Sequence, residues 1–201
     1  MLGSRVGVMA YHGGDLEVGT DQIADAVAAR TGASLYAVRQ PAGMQRHVPS
    51  TRFRPAHSDR LAAFVEHVHL AITLHGYGRR SMFRTVLVGG RNRGAAATVA
   101  RALRSHLPAY EVVDDLDHIP RELRGLHLRN PVNLPRHHGV QIELPPRIRG
   151  NGPFWASWDG GFPTPHTERL IDGLAAAISD LGRGEGQGAR RSSTQPPPSR
   201  R

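Results

Sequence analysis

Short apolar runs, each ending in glycine or a polar cluster, punctuate the first half of the chain. Residues 3–10, with Val6, Val8, Met9 and Ala10, read as a buried first strand. Residues 20–30 read as a helix. Thr20 is placed to cap it, Ile23, Val27 and several alanines form an apolar stripe, and Gly32 stops it. A second strand follows at 34–38. Residues 40–57, which include His47 and Ser50, show no period and read as a loop or short strand. A short helix at 59–66 leads into a strand at 67–75, ended by Gly76. Residues 85–88 form another apolar run, closed by Gly89 and Gly90. A helix from about 94 to 107 carries Val99, Leu103 and Leu107 at helical spacing. Strands at 110–113 and 140–144 follow, the latter stopped by Pro145 and Pro146, and the last helix spans 167–181.

Strands alternating with helices predict a single α/β domain on an open, mixed β-sheet flanked by helices. Such sheets bind ligands at the carboxyl ends of their strands. His12, His75 and Glu143 each fall at or near such an end, and so does the turn at Gly89 and Gly90. That shared placement predicts one site. After Leu181 the sequence loses all periodicity and becomes rich in Gly, Arg, Ser and Pro. Residues 182–201 are therefore expected to be a disordered basic tail, with 1–181 as the folded domain.

Composition narrows the chemistry. A chain of 201 residues accommodates one domain with a real core. Cysteine is absent, so any metal site must be built from His and carboxylate. No run approaches the roughly 18 apolar residues of a membrane span. Residues 1–5 do not open a signal peptide, lacking a basic stretch followed by an apolar one. The expectation is a chain with no membrane partner, cytoplasmic or released without a recognisable signal, and a monomer. All 26 basic residues are arginine and the net charge is +9, which favours polyanionic partners. Part of that charge sits in the tail, where weak nucleic-acid binding is expected. Aromatic residues are only 5% and no nucleic-acid motif is present, so a nucleic-acid-binding protein is the weaker alternative.

The chemistry-bearing residues lie at the strand ends. His12 is followed by Gly13, Gly14 and then Glu17, a spacing that suits a loop better than one helix face. Both side chains are zinc-ligand types, and the glycines let the backbone bring them to one point. The same residues also suit a histidine bonded to backbone and a carboxylate near a helix N-terminus. His75, between Leu74 and Gly76, is the best third ligand, with a strand-end cap as the alternative. Glu143 alternates with Gln141 on one strand face, which either faces solvent or places a carboxylate beside a metal-activated water. The glycine-rich stretch 14–20 lacks the Lys of a phosphate loop. The stretch 89–94 lacks a dinucleotide pattern, but Arg91 and Arg93 beside a helix start make it a candidate anion site.

Five segments occur in order: His12 to Glu17, Leu74 to Gly76, Val88 to Arg91, Asn130 to Asn133, and Gly139 to Leu144. On these the chain, over roughly residues 5–180, resembles the poly-gamma-glutamate hydrolase family. These are phage and bacterial zinc hydrolases with a carboxypeptidase-like open α/β fold. The segment His47 to Ser50 is similar to a further stretch of that family. The resemblance implies His12, Glu17 and His75 as zinc ligands and Glu143 as the catalytic base. It also implies an arginine that grips substrate carboxylate. Arg91 and Arg147 are assigned to substrate binding with Asn133, and Arg149 lies close by. The expected activity is zinc-dependent hydrolysis of gamma-glutamyl amides in poly-gamma-glutamate or a similar anionic substrate. The alternative is a carboxypeptidase-like deacylase or peptidase for a small N-acyl amino acid or cell-wall peptide.

Overall fold

A computed structural model describes the backbone of residues 1–192 and the side chains of residues 1–183. Its strands are β1 (Val6–Gly14), β2 (Ser34–Gln40), β3 (Leu70–Gly76), β4 (Thr85–Val88), β5 (Glu111–Val113) and β6 (Gly139–Leu144). They form one sheet in the order β2-β1-β3-β6-β4-β5. Every neighbouring pair is parallel except β4 and β6, which run antiparallel. The helices are α1 (Thr20–Thr31), α2 (Asp59–His67), α3 (Arg93–His106) and α4 (Pro165–Ser192).

Strand alternation sorts side chains onto two faces. Val8, Ala10, Ile72, Leu74, Val140 and Ile142 point to one side, where Ile23 and Val27 of α1, Val99 and Leu103 of α3, and Leu170 and Leu174 of α4 close the main core. Met9, Tyr11 and Ala71 point to the other, against Leu61 and Phe64 of α2. Residues further along that second face are polar: Thr73, His75, Gln141 and Glu143, all buried. Loops rather than a helix cover this part of the sheet. From β1 the chain moves outward to β2, then returns past β1 to β3, so the connection reverses direction between β1 and β3. Open α/β sheets form their ligand crevices at the carboxyl end of such a reversal.

Several boundaries differ from the sequence reading. Thr20 does not cap α1: Gly19, at φ 91°, holds that position. The Thr20 hydroxyl instead donates to the Glu17 carbonyl at 2.8 Å. The strand β1 runs on to Gly14, carrying His12 inside the sheet rather than after it. The helix α4 continues past Leu181 to Ser192. A packed helix propagates at one backbone hydrogen bond per residue, and no proline intervenes before Pro196. Residues 193–201 lie outside the described residues. The antiparallel run of β4 places Gly89 opposite Gln141, well before the end of β6, with Gly89 N–H donating to the Gln141 carbonyl at 2.7 Å. The Gly89–Gly90 turn is therefore at the opposite edge of the sheet from His12, His75 and Glu143. No described helix is long and apolar enough to cross a membrane.

Candidate metal centre and its cleft

His12 is aimed by an irregularity in its own strand. The β1–β2 register shifts between Ala10 and Gly13, so Tyr11 and His12 together oppose a single residue of β2. A bulge of this kind bends the strand and redirects a side chain. The glycines that follow answer to close approaches. A Cβ on Gly13 would lie 2.5 Å from Asp21 Cβ, and Gly14 takes φ 74° with Gln40 O only 2.2 Å from where its Cβ would be. The chain then folds back, Glu17 N–H donating to the His12 carbonyl at 3.0 Å. That turn sets both side chains on one point.

His12, Glu17 and His75 each bring a ligand-type atom into a group whose members all lie within 4.8 Å of one another. His12 Nδ1 is 2.8 Å from Glu17 Oε1, and His75 Nδ1 is 3.3 Å from Glu17 Oε2. Ligand atoms around a tetrahedral zinc lie about 3.3 Å apart, so the spacing fits. Two further observations support the fit. His12 Nε2 donates to the Val48 carbonyl at 2.7 Å, which leaves Nδ1 with its lone pair toward an acceptor oxygen. Two acceptors at that distance require a proton or a cation between them. His75 Nε2 is buried with no hydrogen-bond partner among the described residues. Glu17 is also held from behind, its Oε2 accepting from Gly76 N–H at 2.9 Å.

The electrostatics are those of a compact charged cluster. Burial alone would raise the Glu17 carboxyl, but hydrogen bonds and charge from His12 and His75 hold it well below the usual carboxylate range. Burial would lower His75, yet Tyr11, the Glu17 hydrogen bond and the Glu17 and Glu143 charges push it well above its ordinary value. Glu143 is the contrasting carboxyl. Burial raises it to about 7, the Glu17 charge adds to this, and His75, Gln141 and Arg149 act the other way. Two carboxyls with opposite shifts in one site suit different tasks, one to hold charge and one to exchange a proton.

Glu143 stands beside His75 as its register partner on the neighbouring strand. Its Oε1 accepts from Gln141 Nε2 at 2.8 Å. Gln141 Oε1 in turn accepts from Asn130 Nδ2 at 2.8 Å, and Asn130 Oδ1 accepts from the Tyr11 hydroxyl at 2.7 Å. Gln141 is 4% exposed, so the solvent-facing alternative for this strand face does not hold. The segment 121–127 covers it, taking a further hydrogen bond from Gln141 Nε2 to the Leu123 carbonyl at 3.3 Å.

Above these residues opens a cleft of about 830 Å³. His12, Glu17, His75, Gln141 and Glu143 form its floor, and His47, Ser50, Arg121, Arg124 and His127 stand on its walls. None of the three residues assigned to substrate lines it. Asn133 is buried, and its amide donates to the Gly125 and His127 carbonyls at 2.7 and 3.1 Å. Arg91 lies beyond the far-edge turn and reaches the Leu126 carbonyl at 3.4 Å. Arg93, the other candidate anion ligand, donates to the Gly90 carbonyl at 3.2 Å and to the Asp114 carbonyl. Arg147 sits over the Phe154 ring, 3.6 Å from its centroid. Arg149 is closer to the centre but buried behind it. Its guanidinium donates to the Leu144 carbonyl at 3.2 Å and the Val18 carbonyl at 2.6 Å, and it packs where a Gly76 Cβ would stand.

The open mixed sheet, with its polar cleft at the carboxyl edge, is a single-domain α/β fold. The chain belongs to the poly-gamma-glutamate hydrolase family, whose model matches residues 1–152. It is 36% identical over 142 residues to YoqZ, an SPbeta prophage-derived protein of Bacillus subtilis, covering 70% of this chain and 48% of that one. The chain thus spans about half the length of the curated relatives it matches. Among solved structures, a bacteriophage poly-gamma-glutamate hydrolase superposes with a TM-score of 0.73 at 23% identity, covering 90% of this chain and 86% of that one. Zinc-free YndL superposes with a TM-score of 0.68 at 24% identity, with the same coverage. At these identities the likeness is one of fold.

Proposed function

We propose that this chain is a zinc-dependent hydrolase of gamma-glutamyl amide bonds in poly-gamma-glutamate or a similar anionic substrate. The observation that carries the reading is the convergence of His12, Glu17 and His75 on one point with Glu143 beside them. His12, Glu17 and His75 would hold the ion. When bound, zinc polarises a scissile carbonyl and acidifies a water. Glu143 accepts a proton from the attacking water and returns it to the leaving amine. His12 is locked in one tautomer by the Val48 carbonyl, and Glu17 in one orientation by the Gly76 amide. Arg121 is exposed on the cleft wall and is placed to meet substrate carboxylates. The net charge of +9 favours encounter with a polyanion at low salt.

The test is chain-length analysis of poly-gamma-glutamate incubated with purified protein, with and without chelator. Shortening that chelator abolishes and zinc restores supports the reading. Bound zinc with an untouched polymer removes the substrate and leaves the site. A small N-acyl amino acid assayed alongside addresses the deacylase alternative.

A further inference from the structure

The polar residues behind Glu143 are costly to bury. Tyr11, Asn130 and Gln141 are all at least nine-tenths buried, next to the apolar cluster of Met9, Leu61, Phe64, Ala71 and Val132. An amide or hydroxyl in such a place is tolerated when its hydrogen bonds are made. Here they are made in one direction. The Tyr11 hydroxyl donates to Asn130, the Asn130 amide donates to Gln141, and the Gln141 amide donates to Glu143. Each link is 2.7 or 2.8 Å. Successive donors aligned in this way polarise one another.

We infer that Tyr11, Asn130 and Gln141 form a relay that positions the Glu143 carboxylate for proton transfer. The inference rests on the reading of Glu143 as the base and deepens it. The relay ends on Oε1, which anchors that oxygen and leaves Oε2 for exchange with water. Its other end is tied to the metal centre. The Tyr11 ring meets the His75 ring edge-on at 4.8 Å and the His12 ring at 5.4 Å between centroids. One tyrosine thus wedges two ligand rings and starts the chain that orients the base. Tyr11, Asn130 and Gln141 act through Glu143 and are positioning residues.

The experiment compares Tyr11→Phe, Gln141→Met, the double variant and Glu143→Gln in the zinc-loaded full chain. It measures kcat and KM on poly-gamma-glutamate and zinc affinity by chelator competition. Gln141→Met is expected to lower kcat about tenfold or more, with KM and zinc affinity within about twofold. Tyr11→Phe keeps the ring and is expected to lower kcat about threefold. The double variant is expected to be no slower than Gln141→Met, because the broken middle link already isolates Tyr11. Losses that multiply, or a kcat unchanged in both single variants, overturn the relay. If Gln141→Met does not fold, Tyr11→Phe decides alone: a kcat loss at constant KM supports the relay, and no loss overturns it. An active Glu143→Gln overturns the base reading and the relay with it. An inactive Glu143→Gln beside fully active Tyr11→Phe and Gln141→Met overturns the relay alone.

Discussion

His75 and Glu143 are register partners on adjacent parallel strands, β3 and β6. Neighbouring strands lie about 4.8 Å apart, so a ligand-type ring and a buried carboxyl are held side by side by sheet hydrogen bonds. Glu143→Gln keeps this geometry and its contact with Gln141 but cannot take a proton. It is expected to lower hydrolysis of poly-gamma-glutamate by about 10²–10⁴-fold while zinc stoichiometry, read by metal analysis, is retained.

Zinc is expected to stabilise the fold, because the three ligands come from two strands and a turn that must be assembled first. At free zinc about a hundredfold above the dissociation constant the gain is about 2.7 kcal/mol. For a chain of this size that is a rise in Tm of about 5–10 °C. His75→Ala and Glu17→Gln are each expected to abolish the response, measured by thermal melting with and without chelator.

The zinc-free protein should reveal what a buried Glu143 costs. Its folded pKa of about 7 lies above the ordinary carboxyl value of 4.5. The favourable contribution of the neutral carboxyl is therefore complete below pH 4.5 and is lost as pH rises through 7. Glu143→Gln removes that loss, by about 3 kcal/mol. Urea titration at pH 8 should find the variant more stable than the native chain, with the difference shrinking toward pH 5.

Arg149 is 8% exposed and faces two buried carboxylates without a direct ion pair among the described residues. Burial lowers its pKa, and Glu17 and Glu143 oppose that shift. Arg149→Met takes one donor from each of the Val18 and Leu144 carbonyls, which keep their bonds from Asn151 and Tyr77, and removes a buried positive charge that faces the two carboxylates. A loss of about 3 kcal/mol is expected in urea unfolding, and Arg149→Lys should recover only part, having the charge without the fork.

The strand ends bearing His12, His75 and Glu143 were legible because each interrupts an apolar run at its close. Gln141 left a fainter signal, a polar residue two places before Glu143 in the same strand, and it fitted a solvated face equally well. Its burial depends on segment 121–127, which no local pattern connects to β6. The bond from Tyr11 to Asn130 joins residues 119 apart and left no periodic trace. Arg91 was misplaced because spacing alone does not tell whether a strand runs parallel, and the reversal of β4 sends its turn to the other edge. Arg147 and Arg149, two residues apart, part company because the turn at Pro146–Arg149 buries one and leaves the other against Phe154.

Both walls of the cleft are fastened to its floor through main-chain oxygens: Val48 receives His12, and Leu123 receives Gln141. Any amino acid supplies a carbonyl. The outward side chains of these two segments can therefore be exchanged without unfastening the buried polar groups of the floor. A lineage, or an engineer, has here a scaffold on which the clientele can be rewritten while the reaction is inherited intact.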